Sequence, residues 1–195
     1  MSKKQTIKTE QVLTPEFTLY FPDLEQPNEL SKKYRVVAVW DPGTKLDAVK
    51  KNIKDVAFQK WGKEIPENLY VPLKKPEDEK NPDLYPEDTL HAAFTTSRPY
   101  LVDRDPNKAL TPDKFYPGCR CRAVIHSWPY DGVGDKPPGV SLTLDTLQFV
   151  DDGERLGGGT TSARNMLAAN PLDSSQDADQ DEPAVSDDEG FDFGF

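Results

Sequence analysis

Cys119-Arg120-Cys121-Arg122-Ala123-Val124-Ile125-His126-Ser127-Trp128 alternates in chemical character with a period of two. Successive side chains of an extended strand point to opposite faces. Cys119, Cys121, Ala123, Ile125 and Ser127 therefore share a small, mostly apolar face suited to packing. Arg120, Arg122, Val124, His126 and Trp128 share the other, which offers two guanidiniums and an indole. A strand of this kind lies half in a core and half in solvent, and it sets the search for partners on either side.

Residues 130–138 read as a loop and residues 139–150 as a further strand. Upstream, Phe17, Leu19 and Phe21 alternate with Thr18 and Tyr20 before Pro22, Tyr34 to Trp40 is rich in β-forming residues, and residues 91–102 give a third strand broken at Pro99. Together with residues 115–128 this makes five strands. One helix interrupts them. Thr44 with Asp47 three residues later has the arrangement of an N-cap, Leu46, Val49, Ile53, Val56 and Ala57 recur at helical spacing, and Trp61-Gly62 supplies the stop. Residues 64–88 carry five prolines and read as a long surface excursion with one short strand around residues 69–73.

The expected fold is therefore mainly β: an OB-fold-like five-stranded barrel with one α-helix and long loops, followed by a disordered acidic C-terminal tail. Eighteen prolines in 195 residues argue against a helical bundle. The polar start of the chain and the absence of an apolar run near the ~20 residues needed to cross a bilayer predict a cytoplasmic protein without membrane contact. Phe17, Phe21, Trp40, Phe58 and Trp61 are assigned to the core. Cys119 and Cys121, the only cysteines, are expected to be small buried hydrophobes in a reducing compartment, and His91 and His126 are too scattered to make a zinc site with them. No metal or other cofactor is expected.

The net charge of −10 is unevenly spread. Residues 173–195 hold nine acids and no Lys or Arg, which leaves 25 acids against 24 bases in the remainder. The boundaries that follow are a flexible N-terminal arm at residues 1–14, a binding domain at 15–156, and a Gly-rich joint with a disordered acidic tail at 157–195. A short helix is expected over residues 161–169. The tail closes Asp187-Asp188-Glu189-Gly190-Phe191-Asp192-Phe193-Gly194-Phe195. Aromatics in a segment that cannot bury them call for a receiving partner.

Binding a single nucleic-acid strand without sequence preference needs cations along the phosphates and aromatic planes for the bases. The outward face of residues 119–128 supplies both, and Arg98, Tyr100, Lys114, Tyr116 and Tyr130 lie on neighbouring segments. The same face also fits an ordinary solvent surface whose arginines pair with carboxylates.

Phe115-Tyr116-Pro117-Gly118, the strand Val140-Ser141-Leu142-Thr143-Leu144, the run Asp152-Gly153-Glu154-Arg155-Leu156-Gly157-Gly158, and Ser97-Arg98-Pro99 with Val102-Asp103 following resemble a family of phage single-stranded DNA-binding proteins long catalogued as a domain of unknown function. The resemblance implies an OB-fold core, sequence-independent binding of single strands in phage replication and recombination in the host cytoplasm, and no enzymatic activity. It also implies an acidic tail that competes with DNA and recruits replication or recombination proteins through Asp187, Asp188, Glu189, Phe191, Asp192, Phe193 and Phe195. The family's binding face carries over to Arg98, Tyr116, Arg120, Arg122, Trp128 and Tyr130; Tyr100 and Lys114 join it by position, and a homo-oligomer stays open. Two other readings compete. One is an interaction protein that binds no DNA and acts through its Phe-ended tail. The other is a metal-dependent nuclease using Asp103, Asp105 and Asp131, which lack the convergence that two-metal chemistry requires.

Overall fold

A computed structural model describes residues 7 and 9–156. The strands are β1 (Val12–Leu13), β2 (Phe17–Asp23), β3 (Tyr34–Trp40), β4 (Leu73–Lys74), β5 (Leu90–Thr96), β6 (Leu101–Val102), β7 (Arg120–Tyr130) and β8 (Gly139–Asp151), and one α-helix, α1 (Asp47–Trp61), lies between β3 and β4. β2, β3, β5, β8 and β7 pair in that order, and β7 pairs with both β8 and β2, so five strands close on themselves. All barrel pairings are antiparallel except β5 with β8, where Phe94 faces Leu142 and Thr95 faces Thr143. This is the expected five-stranded barrel with one helix.

Alternation decides what lies inside. Val36, Ala38 and Trp40 of β3 enter the core with Phe17 and Leu19 of β2, Ala92 and Phe94 of β5, and Ile125 of β7. Phe17, Trp40 and Phe94 meet edge-on or tilted with centroids 5.7 to 6.1 Å apart, a geometry that adds to their burial because ring edges and faces carry opposite partial charge. Cys121, Ala123 and Ile125 face inward and are buried as the period-two reading requires. The Cys119 and Cys121 thiols lie 3.6 Å apart, both free and buried. The contact with Cys119 and burial push the Cys121 thiol up, which keeps it protonated.

Helix α1 packs against β7, β1 and β8. Its buried Asn52 accepts from the Ser127 amide (3.1 Å) and donates to the Glu10 carbonyl (3.0 Å), tying helix, barrel and N-terminal segment together. At the opposite end of β7, Gly118 and Gly153 approach so closely that a Cβ on the first would collide with the Glu154 carbonyl, and one on the second with the Gly118 carbonyl. The positive φ of 105° at Gly118 also excludes other residues there.

The structure departs from the sequence reading at several points. Phe21 is 41% exposed and not core, because the β2–β3 register shifts between Tyr20 and Asp23 and Phe21 takes φ 47°, which breaks the alternation. Phe58 is 59% exposed: α1 buries Val49, Asn52, Ile53, Val56 and Ala57, and the next residue rotates about 100° away from that stripe. Thr44 does not cap α1; the helix starts at Asp47 after Leu46, and the Thr44 hydroxyl donates to the Asp41 carbonyl instead. The third strand is two, β5 and β6, separated at residues 97–100. β7 starts at Arg120 rather than Phe115. β1 pairs with β7 inside the stretch expected to be a free arm. The short helix expected over 161–169 and the acidic tail fall outside the described residues.

Candidate nucleic-acid interface

Six residues read from sequence lie on or beside one outer surface. Arg120, Arg122, Trp128 and Tyr130 all face out of β7, with Trp128 49% exposed. Tyr100, 58% exposed, precedes β6; its carbonyl accepts from the Leu147 amide (2.9 Å), and β8 there is flanked by β7 on its other side. Arg98 is exposed on the same connection, where its amide donates to the Thr96 hydroxyl. Lys114 and Tyr116 lie elsewhere, at the Gly118 end. The Tyr116 hydroxyl donates to Asp152 (2.8 Å) and accepts from the Gly153 amide (3.1 Å), and the Arg155 guanidinium sits 4.0 Å over its ring. That ring is already stacked.

The cations of β7 are not idle either. Arg120 reaches Glu16 (2.8 Å), Thr18 (2.8 Å) and Asp41 (3.3 Å). Arg122 donates to Gln148 (2.6 Å), whose amide donates to the carbonyls of Asp103 and Arg104. His126 pairs with Asp145 at 2.9 Å. Arg104, which sequence reasoning did not single out, pairs with Asp151 at 2.5 Å and lines one cleft with Arg122, Glu16 and Gln148. The stripe alternates charge rather than concentrating positive charge.

A second arrangement crosses the barrel on the outer side of β2, β3 and β5. His91 stacks on Tyr85 with centroids 4.0 Å apart and planes 7° from parallel, and Tyr20 also stacks with Tyr85, at 6.0 Å and 25°. Phe21 meets both tyrosines edge-on. The row continues through Glu79, which bonds both His91 (3.3 Å) and Lys74 (3.0 Å), to Tyr70, whose ring lies under the Lys74 ammonium at 5.1 Å. Tyr70 and Tyr130 crowd the same glycine, Gly139. Tyr130, Tyr70, Lys74, His91, Tyr85 and Tyr20 thus form one chain of contacts from the hairpin tip at the α1 end to the far end of β2. Burial raises the Tyr20 and Tyr85 phenols, keeping them neutral. Burial also lowers His91, against the pull of Glu79.

Sequence reasoning found only Tyr130 of this row. The others come from β2, β4, β5 and the proline-rich excursion. The available signal was that the excursion carries two tyrosines, Tyr70 and Tyr85, together with Lys74. Among the described residues, no three His, Cys, Asp or Glu side chains gather as a metal site, and Asp131 is ion-paired with Lys60 at 2.8 Å. No described helix is long and apolar enough to cross a membrane.

Comparison with known proteins adds relatives to this geometry. A family model described as Enterobacter phage Enc34, ssDNA-binding protein matches residues 7–181. Protein p50 of Acyrthosiphon pisum secondary endosymbiont phage 1 is 31% identical over 165 residues, covering 76% of this chain and 88% of that one. Among solved structures, the single-stranded DNA-binding protein from bacteriophage Enc34 superposes with a TM-score of 0.60 at 20% identity, over 79% of this chain and 89% of that one. The same protein in complex with ssDNA gives 0.59 at 18% identity, over 75% and 89%. The single-stranded DNA binding protein gp2.5 encoded by bacteriophage T7 gives 0.53 at 13% identity, over 88% and 100%. At these identities the structures establish the shared barrel.

Proposed function

The chain belongs to the Enterobacter phage Enc34 ssDNA-binding protein family, and we propose from that premise that it binds single-stranded DNA without sequence preference during phage replication and recombination. The family is one of binding proteins rather than enzymes. The observation that carries the reading is the row from Tyr130 to Tyr20. OB barrels receive oligonucleotides on the face of their second and third strands, here β3 and β5, and the row lies along that face.

Bases stack on Tyr20, Tyr85, Tyr70 and Tyr130, since every base has a π-face and stacking tolerates any sequence. Lys74 and the exposed Arg35 of β3 meet phosphates. The β7 side of the surface extends the footprint with Trp128, Tyr100, Arg98, Arg122 and Arg120, and Lys114 with Tyr116 marks its far margin. Because Arg120 and Arg122 already hold neutralising or polar partners, binding by β7 exchanges one set of bonds for another.

The acidic tail supplies the regulatory half of the proposal. Asp187, Asp188, Glu189 and Asp192 compete with phosphates for the same cations, and Phe191, Phe193 and Phe195 offer aromatic anchors to replication or recombination proteins once DNA displaces the tail. The tail falls outside the described residues, so this half stands on sequence and resemblance. The balanced charge of the remainder supports the rival in which the tail alone is the working part.

Anisotropy titration of a labelled oligo-dT, with the full chain and with a chain ending at Pro171, across several salt concentrations, tests both halves. The expected result is binding whose log-log salt slope is about −0.7 for each phosphate neutralised, tighter after truncation. No binding by either chain would leave the tail-driven interaction protein as the better reading; equal binding by both would remove the competing tail.

A further inference from the structure

At the end of the barrel away from α1, a cleft of about 860 Å³ opens between the β2–β3 loop and the turn at residues 112–117. Phe21, Leu24, Pro27, Phe115 and Pro117 are among the apolar residues lining it, and Asp23, Glu25, Glu29 and Asp113 give it four carboxylates against no Lys or Arg in the lining. Among the described residues, Asp23, Glu25 and Glu29 have no ion-pair partner, although Arg35 lies across from Asp23 in register and Asp113 is shared with Lys114 at 3.6 Å. An acidic rim repels DNA phosphates and the chain's own acidic tail alike. An apolar floor with free carboxylates around it suits a cationic peptide carrying an apolar side chain.

The sequence contains such a segment. Residues 1–8 carry Lys3, Lys4 and Lys8 with Met1 and Ile7, and no acid. Their attachment point is at the other end of the molecule. β1 runs antiparallel to β7 with Val12 beside Ile125, and Asn52 holds Glu10 at the level of Ser127. Ser127 stands nine residues along the chain from Gly118, about 30 Å in extended strand, whereas Lys3 and Lys4 lie at most four residues before Ile7, about 14 Å at full stretch. The groove of a second copy is the nearer destination.

We propose that the lysine-bearing segment 1–8 of one copy docks in the acid-rimmed cleft of the next, making a head-to-tail contact between copies on one DNA strand. The proposal rests on the single-strand-binding reading. The aromatic row runs from the α1 end at Tyr130 to the cleft end at Tyr20 and Phe21, so a strand of fixed polarity orients every copy alike and brings the α1 end of one against the cleft of its neighbour. Such a contact is heterologous and propagates without closing. Opposite charges at both faces set its register and disfavour wrong pairings.

The test uses the full chain and two charge-reversed forms, Lys3→Glu with Lys4→Glu, and Glu25→Lys with Glu29→Lys. Each is titrated against a short oligo-dT that holds one copy and a long one that holds many, and cooperativity is read as the ratio of the two affinities. The unaltered chain should prefer the long strand, each reversed form alone should lose about tenfold of that preference as like charges meet, and an equimolar mixture of the two should regain it, since every arm then finds a groove of opposite sign. Short-strand affinity of the arm form should stay unchanged. Loss of short-strand affinity would make the arm a DNA contact and overturn the proposal. So would a preference that survives either reversal, or one that mixing does not restore, which is what docking within one copy would give. Binding of both strands without preference overturns the proposal alone; failure of the unaltered chain to bind the short strand overturns the reading beneath it as well.

Discussion

The outer face of β7 and the aromatic row across β2, β3 and β5 are two surfaces of one barrel built by opposite means. β7 carries its chemistry in one strand, in a pattern visible over ten consecutive residues, and most of it is spoken for: Arg120 by Glu16 and Asp41, Arg122 by Gln148, His126 by Asp145. The row gathers Tyr20, Tyr70, Tyr85, His91 and Tyr130 from separate stretches; stacking holds Tyr20, Tyr85 and the buried His91, and the tyrosines stay partly exposed. A regular pattern thus marks where a strand is amphipathic, whereas convergence of unlike segments marks where a surface has been assembled. The second is the stronger pointer to a ligand, because ordinary solvent faces also alternate.

That contrast can be broken or sharpened by measurement. The largest effect is expected from Tyr20→Ala combined with Tyr85→Ala, which removes the stacked pair at the cleft end of the row and should weaken oligo-dT binding by about 3 kcal/mol, taking roughly 1 to 3 per stacked base. Unchanged affinity in a folded double variant would hand the interface to β7. Trp128→Ala, the exposed indole of β7, should cost about 1 kcal/mol; a larger loss than the double variant would invert the ranking of the two surfaces. A smaller effect belongs to Arg122→Gln, read as a change in salt slope of about 0.7 if the guanidinium leaves Gln148 for a phosphate, while Arg120→Gln, whose side chain already has two carboxylates, should leave the slope unchanged.

The smallest effect concerns acid. Burial lowers His91, so the folded chain binds fewer protons there than the unfolded one, and stability rises with pH across that window. The contribution is fully present above the ordinary imidazole value of about 6.5 and is lost as pH falls below it toward the folded value. Thermal unfolding of the unaltered chain should therefore weaken on acidification in that range more than that of His91→Gln. Parallel profiles would detach His91 from the stack's stability.

Much of the barrel was legible: residues 34–40 emerged as a strand from their β-forming composition, and the two faces of β7 emerged with the correct sides from alternation. The face assignment survives a register shift between Val124 and Ile125 because the extra residue, Asp145, belongs to the partner strand. Phe21 failed where the irregularity fell on its own strand. Phe58 failed because hydrophobicity was weighed without its angle on the helix. The aromatic row was not legible for a topological reason. Nothing local to Tyr85 tells that Tyr20 will lie against it, since that contact needs β2 paired with β3 and β3 with β5.

The barrel's pairings are unequal in length. β3 meets β5 over seven registered residue pairs and β7 meets β8 over eleven, but β2 joins β7 through two and β5 joins β8 through two. The closed sheet is therefore two slabs sutured along two short seams, and short seams are where sub-global opening is least costly. Amide hydrogen exchange should report the seams as an earlier-opening unit than the slabs they join. A strand lying from Tyr130 on one slab to Tyr20 on the other would bridge them, and because a ligand stabilises only the state that binds it, the nucleic acid becomes a third suture that slows exchange at pairs it never touches.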